Sequence, residues 1–241
     1  MGKLLLALQY WERDRAQAMD VARLIADMEP RHNEDVDFLF VSRFDCAHDL
    51  KALEYVSSKF KVHHHINKTR RGSGWPAGCN DLWFGTMDYI YGHSEAKKIP
   101  EYEAVFTFEA DACPLSPDWH KTLMASWRKA NKAKPVKMHG AMVQHPKPHI
   151  NGNAMFSGSL PFLHWISRSI GGCPPTQGWD FYLTKEFSHA GWADCPHMRS
   201  FWQCATMEPA KIDELIAAEV CFLHGVKDHS VLDHVRKRFV H

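Results

Sequence analysis

The sequence predicts an α/β fold: one domain built on a mostly parallel central sheet with helices on both faces. Three observations carry this. In the first half, short apolar runs alternate with stretches at helical spacing, the pattern of strand–helix–strand units with right-handed crossovers. The 241 residues leave room for one large core, with 45% hydrophobic and 24% charged residues, as in ordinary globular proteins. No internal repeat and no long linker divides the chain.

Leu4–Gln9 reads as a buried first strand. Arg13–Met28 follows at helical spacing, with Ala18, Val21, Ala22 and Ile25 on one face and Pro30 as the stop. Val36–Ser42 is a second strand, closed by Arg43-Phe-Asp45. His48–Phe60 is a second helix and Val62–Ile66 a third strand. The loop Thr69–Gly78, rich in glycine, contains Trp75-Pro76 and leads into a helix from about Asp81 to Tyr91. Ser116-Pro-Asp-Trp119 has the composition of a helix start, with serine as cap and proline in the first position. Lys129–Lys137 reads as a basic, polar connector. Ala141–Gln144 and Asn153–Ser157 read as short strands around a loop rich in histidine and proline, and Gly171–Trp179 as another loop. Lys211–Glu219 is helical, followed by Val220–Leu223 and the segment His224–Asp228.

Composition excludes several classes. The formal net charge of +1 gives no global field of the kind that marks a nucleic-acid binder. Seven cysteines (46, 79, 113, 173, 195, 204 and 221) include no Cys-x-x-Cys pair. That argues against a zinc ribbon or a disulfide framework and for free thiols in a reducing cytoplasm. The N-terminal apolar run is too short for a signal-peptide core, and no stretch reaches the ~20 apolar residues of a membrane span. His63-His-His65 alternates sides on a strand and forms no compact metal site by itself.

The segment that carries chemistry is Val105-Phe-Thr-Phe-Glu-Ala-Asp-Ala-Cys-Pro-Leu115. A β-rich apolar run ends in Glu109 and Asp111, two residues apart, which on an extended chain project to the same side. Adjacent acids raise each other's pKa unless a cation offsets them, and hard divalent ions suit such oxygen pairs.

This segment resembles the Asp-x-Asp signature of the GT-A glycosyltransferases, in the form Glu-x-Asp, and Phe222-Leu-His-Gly-Val-Lys-Asp228 is similar to the His-Gly-x-Lys pattern of several of their families. The resemblance covers nearly the whole chain. It implies a single GT-A-like domain over 1–241 with a Rossmann-like sheet: a nucleotide-binding half at 1–112, and at 113–241 an acceptor half with a C-terminal metal and phosphate segment. It implies Mn2+ or Mg2+ held by Asp111 and His224, with Glu109 as a further metal or ribose contact, and Lys227 on the diphosphate of a nucleotide-sugar, a UDP-sugar by expectation. Gly178-Trp-Asp180 resembles a shortened acceptor-side motif, in which Asp180 is the general base; the alternative is a cap for a helix at Phe181–Phe187. Asn151-Gly-Asn153 is similar in outline to a donor-sugar segment, which assigns Asn153 to the donor. Arg70 and Arg71, beside Gly72 and Gly74, suit phosphate.

The function so implied is a metal-dependent glycosyltransferase. Its expected acceptor is a hydroxymethylated pyrimidine base in bacteriophage DNA, with a lipopolysaccharide or other glycan as the alternative. The basic segments Lys129–Lys137, Arg70–Arg71 and Arg236–Arg238 suit a phosphate backbone, and Trp75, Trp179 and Trp192 are candidate stacking residues. A nucleotidyltransferase would place a glycine-rich signature after the first strand, where Gln9-Tyr-Trp-Glu-Arg-Asp14 stands instead. A non-catalytic nucleotide-binding module is the non-enzymatic alternative.

Overall fold

The structure is a computed structural model that describes residues 2–69, 72–145, 147–169, 172–183 and 191–240. Strands β1 (Lys3–Tyr10), β2 (Asn33–Arg43), β3 (Phe60–Asn67) and β4 (Tyr102–Glu109) form the predicted parallel half. They are linked by α1 (Arg15–Asp27), α2 (Leu50–Ser57) and α3 (Ala77–Glu95). Three more strands complete a seven-stranded sheet: β6 (Met138–Val143), β7 (His149–Ser157) and β8 (Trp192–Asp194). The order is β3-β2-β1-β4-β7-β6-β8, with β7 antiparallel to both β4 and β6, and β8 parallel to β6. A second, three-stranded sheet runs β5 (Ala112–Pro114), β10 (Phe222–Val226), β9 (Met198–Cys204).

The unbroken apolar runs of β1, β2 and β4 arise because both faces of the sheet are covered. Leu4, Leu6, Leu8, Phe38, Phe40, Phe106 and Phe108 point to one side, into a cluster with α1, Trp119 and Phe222. Leu5, Ala7, Leu39, Val41 and Val105 point to the other, against Trp83, Met87 and Ile90 of α3 and Leu163 and Ile166 of α5 (Leu160–Ser169).

Several boundaries differ from the sequence expectation. Helix α3 begins at Ala77 and runs to Glu95, absorbing the end of the supposed loop. Helix α4 (Trp119–Ala133) takes in the start of the basic connector, and Asp118 rather than Ser116 is the residue before its first turn. It stops where Lys134, ahead of Pro135, is extended, the conformation proline imposes on its predecessor. Helix α5 and strands β8 and β9 were not anticipated. After them come α6 (Trp179–Tyr182), α7 (Pro209–Ala217) and α8 (Ser230–Phe239). The three adjacent histidines have separate partners: His63 meets Asp37 at 3.2 Å, His64 packs edge-on to His48, and His65 stacks on Tyr89. Among the described residues no helix is long and apolar enough to cross a membrane.

Candidate active site

The chain leaves the large sheet at Glu109, the last residue of β4, turns through Ala110 and Asp111, and enters the small sheet at Ala112. The acids thus do not share a strand, as the i, i+2 argument had it; a turn separates them. They are brought together by His224. Strand β10 pairs antiparallel with β5, setting His224 opposite Ala112. Its Nε2 lies 3.2 Å from Glu109 Oε2 and 3.3 Å from Asp111 Oδ1. Its Nδ1 lies 3.0 Å from Ser200 Oγ on β9. Lys227 forms an ion pair with the other Asp111 oxygen. Gly225, at φ +97°, makes the sharp path between His224 and Lys227 possible, because a Cβ there would overlap the Phe201 carbonyl oxygen.

The charges are strongly coupled. Burial would push the His224 imidazolium down, but hydrogen bonds to Asp111 and Glu109 outweigh it and raise the pKa to about 9. Burial of Asp111 is likewise outweighed by His224 and Lys227, which hold its carboxyl well below the usual range. Potential ligand atoms of Glu109, Asp111 and His224 all lie within 4.8 Å of one another. Two carboxylate oxygens and an imidazole nitrogen on a partly open surface fit a divalent cation of the Mn2+ or Mg2+ kind.

A second set of contacts fixes Glu109. Its backbone N–H donates to Asn153 Oδ1 at 2.8 Å, and Asn153 Nδ2 donates to Asn151 Oδ1 at 3.0 Å. Asn153 is 2% exposed, so its amide holds the end of β4 rather than facing open space.

The third element is Gly178-Trp-Asp180. The Trp179 N–H donates to Asn80 Oδ1 at 2.8 Å, and Asn80 Nδ2 donates to the Gln177 carbonyl at 2.8 Å. The indole is stacked on Trp83 with centroids 3.6 Å apart and 11° between planes. Gly152 leaves room for it, since a Cβ there would stand 2.8 Å from the ring. Trp179 is therefore core, not an exposed wedge, and Trp192 lies half-buried in β8. In α6 (Trp179–Tyr182) Gly178 holds the cap position and Asp180 lies in the first turn, its Oδ1 accepting the Phe181 N–H at 2.8 Å; the remainder of the helix expected at Phe181–Phe187 lies outside the described residues beyond Leu183. Burial raises the Asp180 pKa, and the charge of Glu109 adds to it. Trp179→Ala is expected to cost about 3–5 kcal/mol of stability, the range for truncating a buried tryptophan. An unchanged urea midpoint would show that the stack does not support the segment.

Sequence reasoning missed Asp14, Cys79 and Ser200. Asp14 accepts the Trp11 N–H at 2.8 Å, and burial, with the charges of Glu109 and Asp111, pushes its pKa up to about 6. Cys79, in the first turns of α3, is pushed up by burial and by the charges of Glu109, Asp14, Asp180 and Asp111. The only available signal was an acid shortly after the first strand. Arg71 lies outside the described residues.

No protein-family model matches the chain, and no curated protein matches its sequence. Solved structures do resemble it. A glycosyltransferase involved in the glycosylation of the major capsid of PBCV-1 matches over 98% of each chain, with a TM-score of 0.55 at 11% identity. The apo form of the glycosyltransferase GlyE of Streptococcus pneumoniae TIGR4 matches with a TM-score of 0.54 at 8% identity, over 95% of this chain and 56% of that one. The bifunctional glycosyltransferase WbbM matches with a TM-score of 0.53 at 8% identity, over 97% of this chain and 50% of that one. This chain thus spans about half the length of the latter two. Its single α/β domain, with a mostly parallel sheet between helices, has the GT-A-like fold of these glycosyltransferases.

Proposed function

We propose that this chain is a metal-dependent glycosyltransferase that moves a sugar from a nucleotide-sugar, a UDP-sugar by preference, to an acceptor hydroxyl. The observation that carries the proposal is the convergence of Glu109, Asp111, His224 and Lys227, from a strand end, a turn and the distant β10 segment. Glu109, Asp111 and His224 would hold Mn2+ or Mg2+, which when bound neutralises charge on the leaving diphosphate. Lys227 carries an ammonium on a flexible stem, is more than half exposed, and can exchange Asp111 for a diphosphate oxygen. Asp180, its pKa raised by burial, is the base that takes the proton from the acceptor hydroxyl. With a base in that role the transfer is inverting.

For the acceptor, charge favours a glycan hydroxyl over a DNA base. Helix α4 leads back to the start of β6, so the basic Lys129–Lys137 stretch lies at the opposite end of the sheet from Glu109. Arg238 of α8 is engaged 2.7 Å from Asp213. At the site itself His224 and Lys227 are paired with Glu109 and Asp111, and Lys227 is reserved for the donor diphosphate, so neither serves a DNA backbone. The test is turnover with Mn2+ and a panel of nucleotide-sugars, offered neutral oligosaccharides or hydroxymethylcytosine DNA and analysed by mass. Glucosylated nucleosides would restore the DNA acceptor. No turnover with any donor, in a protein that still binds UDP, would leave the non-catalytic module.

Metal affinity should also depend steeply on pH. A ligating imidazole must be neutral, while His224 keeps its proton up to about 9 in the metal-free protein. Apparent Mn2+ affinity should rise about tenfold per pH unit, so roughly 100-fold between pH 6.5 and 8.5, by calorimetric titration. The metal-free fold responds the other way: the His224 contribution to stability is fully present below the unfolded value of ~6.5 and is lost as pH rises through about 9. Affinity that stays flat over that range would remove His224 from the ligand set.

A further inference from the structure

The chain has nine tryptophans. Seven are buried or half-buried. The other two, Trp75 and Trp202, are 70% and 77% exposed, and they meet each other, with ring centroids 6.2 Å apart and planes at 76°. Burying an indole stabilises a fold, so two large rings held together in water are not explained by packing.

Their supports connect them to the site from both sides. Trp75 stands two residues before α3, whose Asn80 holds the Trp179-Asp180 segment. Trp202 lies on β9, where the pairing with β10 is irregular: Ser200 stands opposite His224, but the next pair is Cys204 with Val226. Within this irregularity the Phe201 carbonyl comes in against Gly225, which admits it because it has no Cβ. A bulge of this kind re-aims side chains beside functional sites. Here it carries Trp202 out next to the strand that bears His224 and leads to Lys227. The indole pair therefore joins the arm of the proposed base to the arm of the proposed metal and phosphate residues.

We infer that Trp75 and Trp202 form the acceptor subsite and that its ligand is a neutral pyranose ring. Two indoles nearly perpendicular to each other make a corner, which suits a ring with CH groups on its faces and hydroxyls on its rim. A flat nucleobase needs only one indole face, whereas a pyranose, thicker and apolar on its CH faces, fills both walls of this corner. The cations at the reacting end, His224 and Lys227, are committed to Glu109, Asp111 and the donor diphosphate, which leaves a neutral sugar as the acceptor. This inference rests on the transferase proposal only for its word acceptor; the binding itself is measured without turnover.

The indole N–H resonances of Trp75 and Trp202, assigned from Trp75→Phe and Trp202→Phe, are followed by NMR in the full chain. The protein is titrated with methyl glycosides and disaccharides of glucose, galactose, mannose, N-acetylglucosamine, rhamnose and fucose, and separately with UDP plus Mn2+ and with hydroxymethyldeoxycytidine. We expect at least one neutral saccharide to shift both resonances, and Trp75→Ala/Trp202→Ala to weaken that saccharide about tenfold or more while UDP still binds. If none of the saccharides shifts either resonance, or if UDP or the nucleoside does so instead, the inference falls. Failure of the transferase proposal looks different: no donor is consumed, whatever the indoles bind.

Discussion

Asp111→Ala is expected to lower glycosyl transfer on the order of 10³-fold, the upper range for losing one group that stabilises charge in the transition state. Asp111 is the hinge of the ionic cluster, one oxygen facing His224 and the other Lys227. Without it the proposed cation would lose a ligand, and Lys227 loses its ion-pair partner. Asp111→Asn keeps the volume but not the charge and should be nearly as inactive, which separates charge from packing. The measurement is transfer at saturating Mn2+ together with Mn2+ affinity. Turnover within tenfold of the parent, or activity that persists in excess chelator, would defeat the metal proposal.

Asp180→Asn is expected to lower kcat about 10²–10⁴-fold, the usual cost of removing a positioned base, while UDP affinity stays within a few-fold. The pH profile gives a second readout. A base must be ionised to act, and burial raises the Asp180 pKa above the ordinary aspartate value. Activity of the parent should therefore fall on acidification at a higher pH than an ordinary aspartate would give, and the variant should lack that limb. If Asp180→Asn turns over normally, the carboxylate serves only to accept the Phe181 N–H.

The parallel half was legible because burial on both faces leaves a strong signal: Leu4–Leu8 and Val36–Val41 can hardly be anything but buried strands. His224 and Lys227 stood out through the His-Gly-x-Lys resemblance, and the structure supplies the reason for its glycine: a positive φ at Gly225 against the Phe201 carbonyl. Other features had no local signature. Met198–Cys204 shows no clean alternation, because its register is broken opposite Gly225. Trp179 gave no sign of being core, since its partner Asn80 lies 99 residues away and its ring is stacked on Trp83. Asp14 became part of the site only through the fold, which brings its charge under the influence of Glu109 and Asp111. Sequence spacing put Glu109 and Asp111 side by side for the wrong reason, since it is the β10 histidine and not strand geometry that unites them.

The join between the two sheets also sets a time order during synthesis. Lys227 lies 116 residues beyond Asp111, so at ribosomal speeds of about 5–20 residues per second the acids emerge roughly 6 to 23 s before their cationic partner. Throughout that interval a nascent chain can assemble β1–β4 yet carries Asp111 without its counter-charges. The ionic cluster is thus completed only when β10 slots between β5 and β9, and on the proposed function a ribosome-bound intermediate stalled before that strand would be inert.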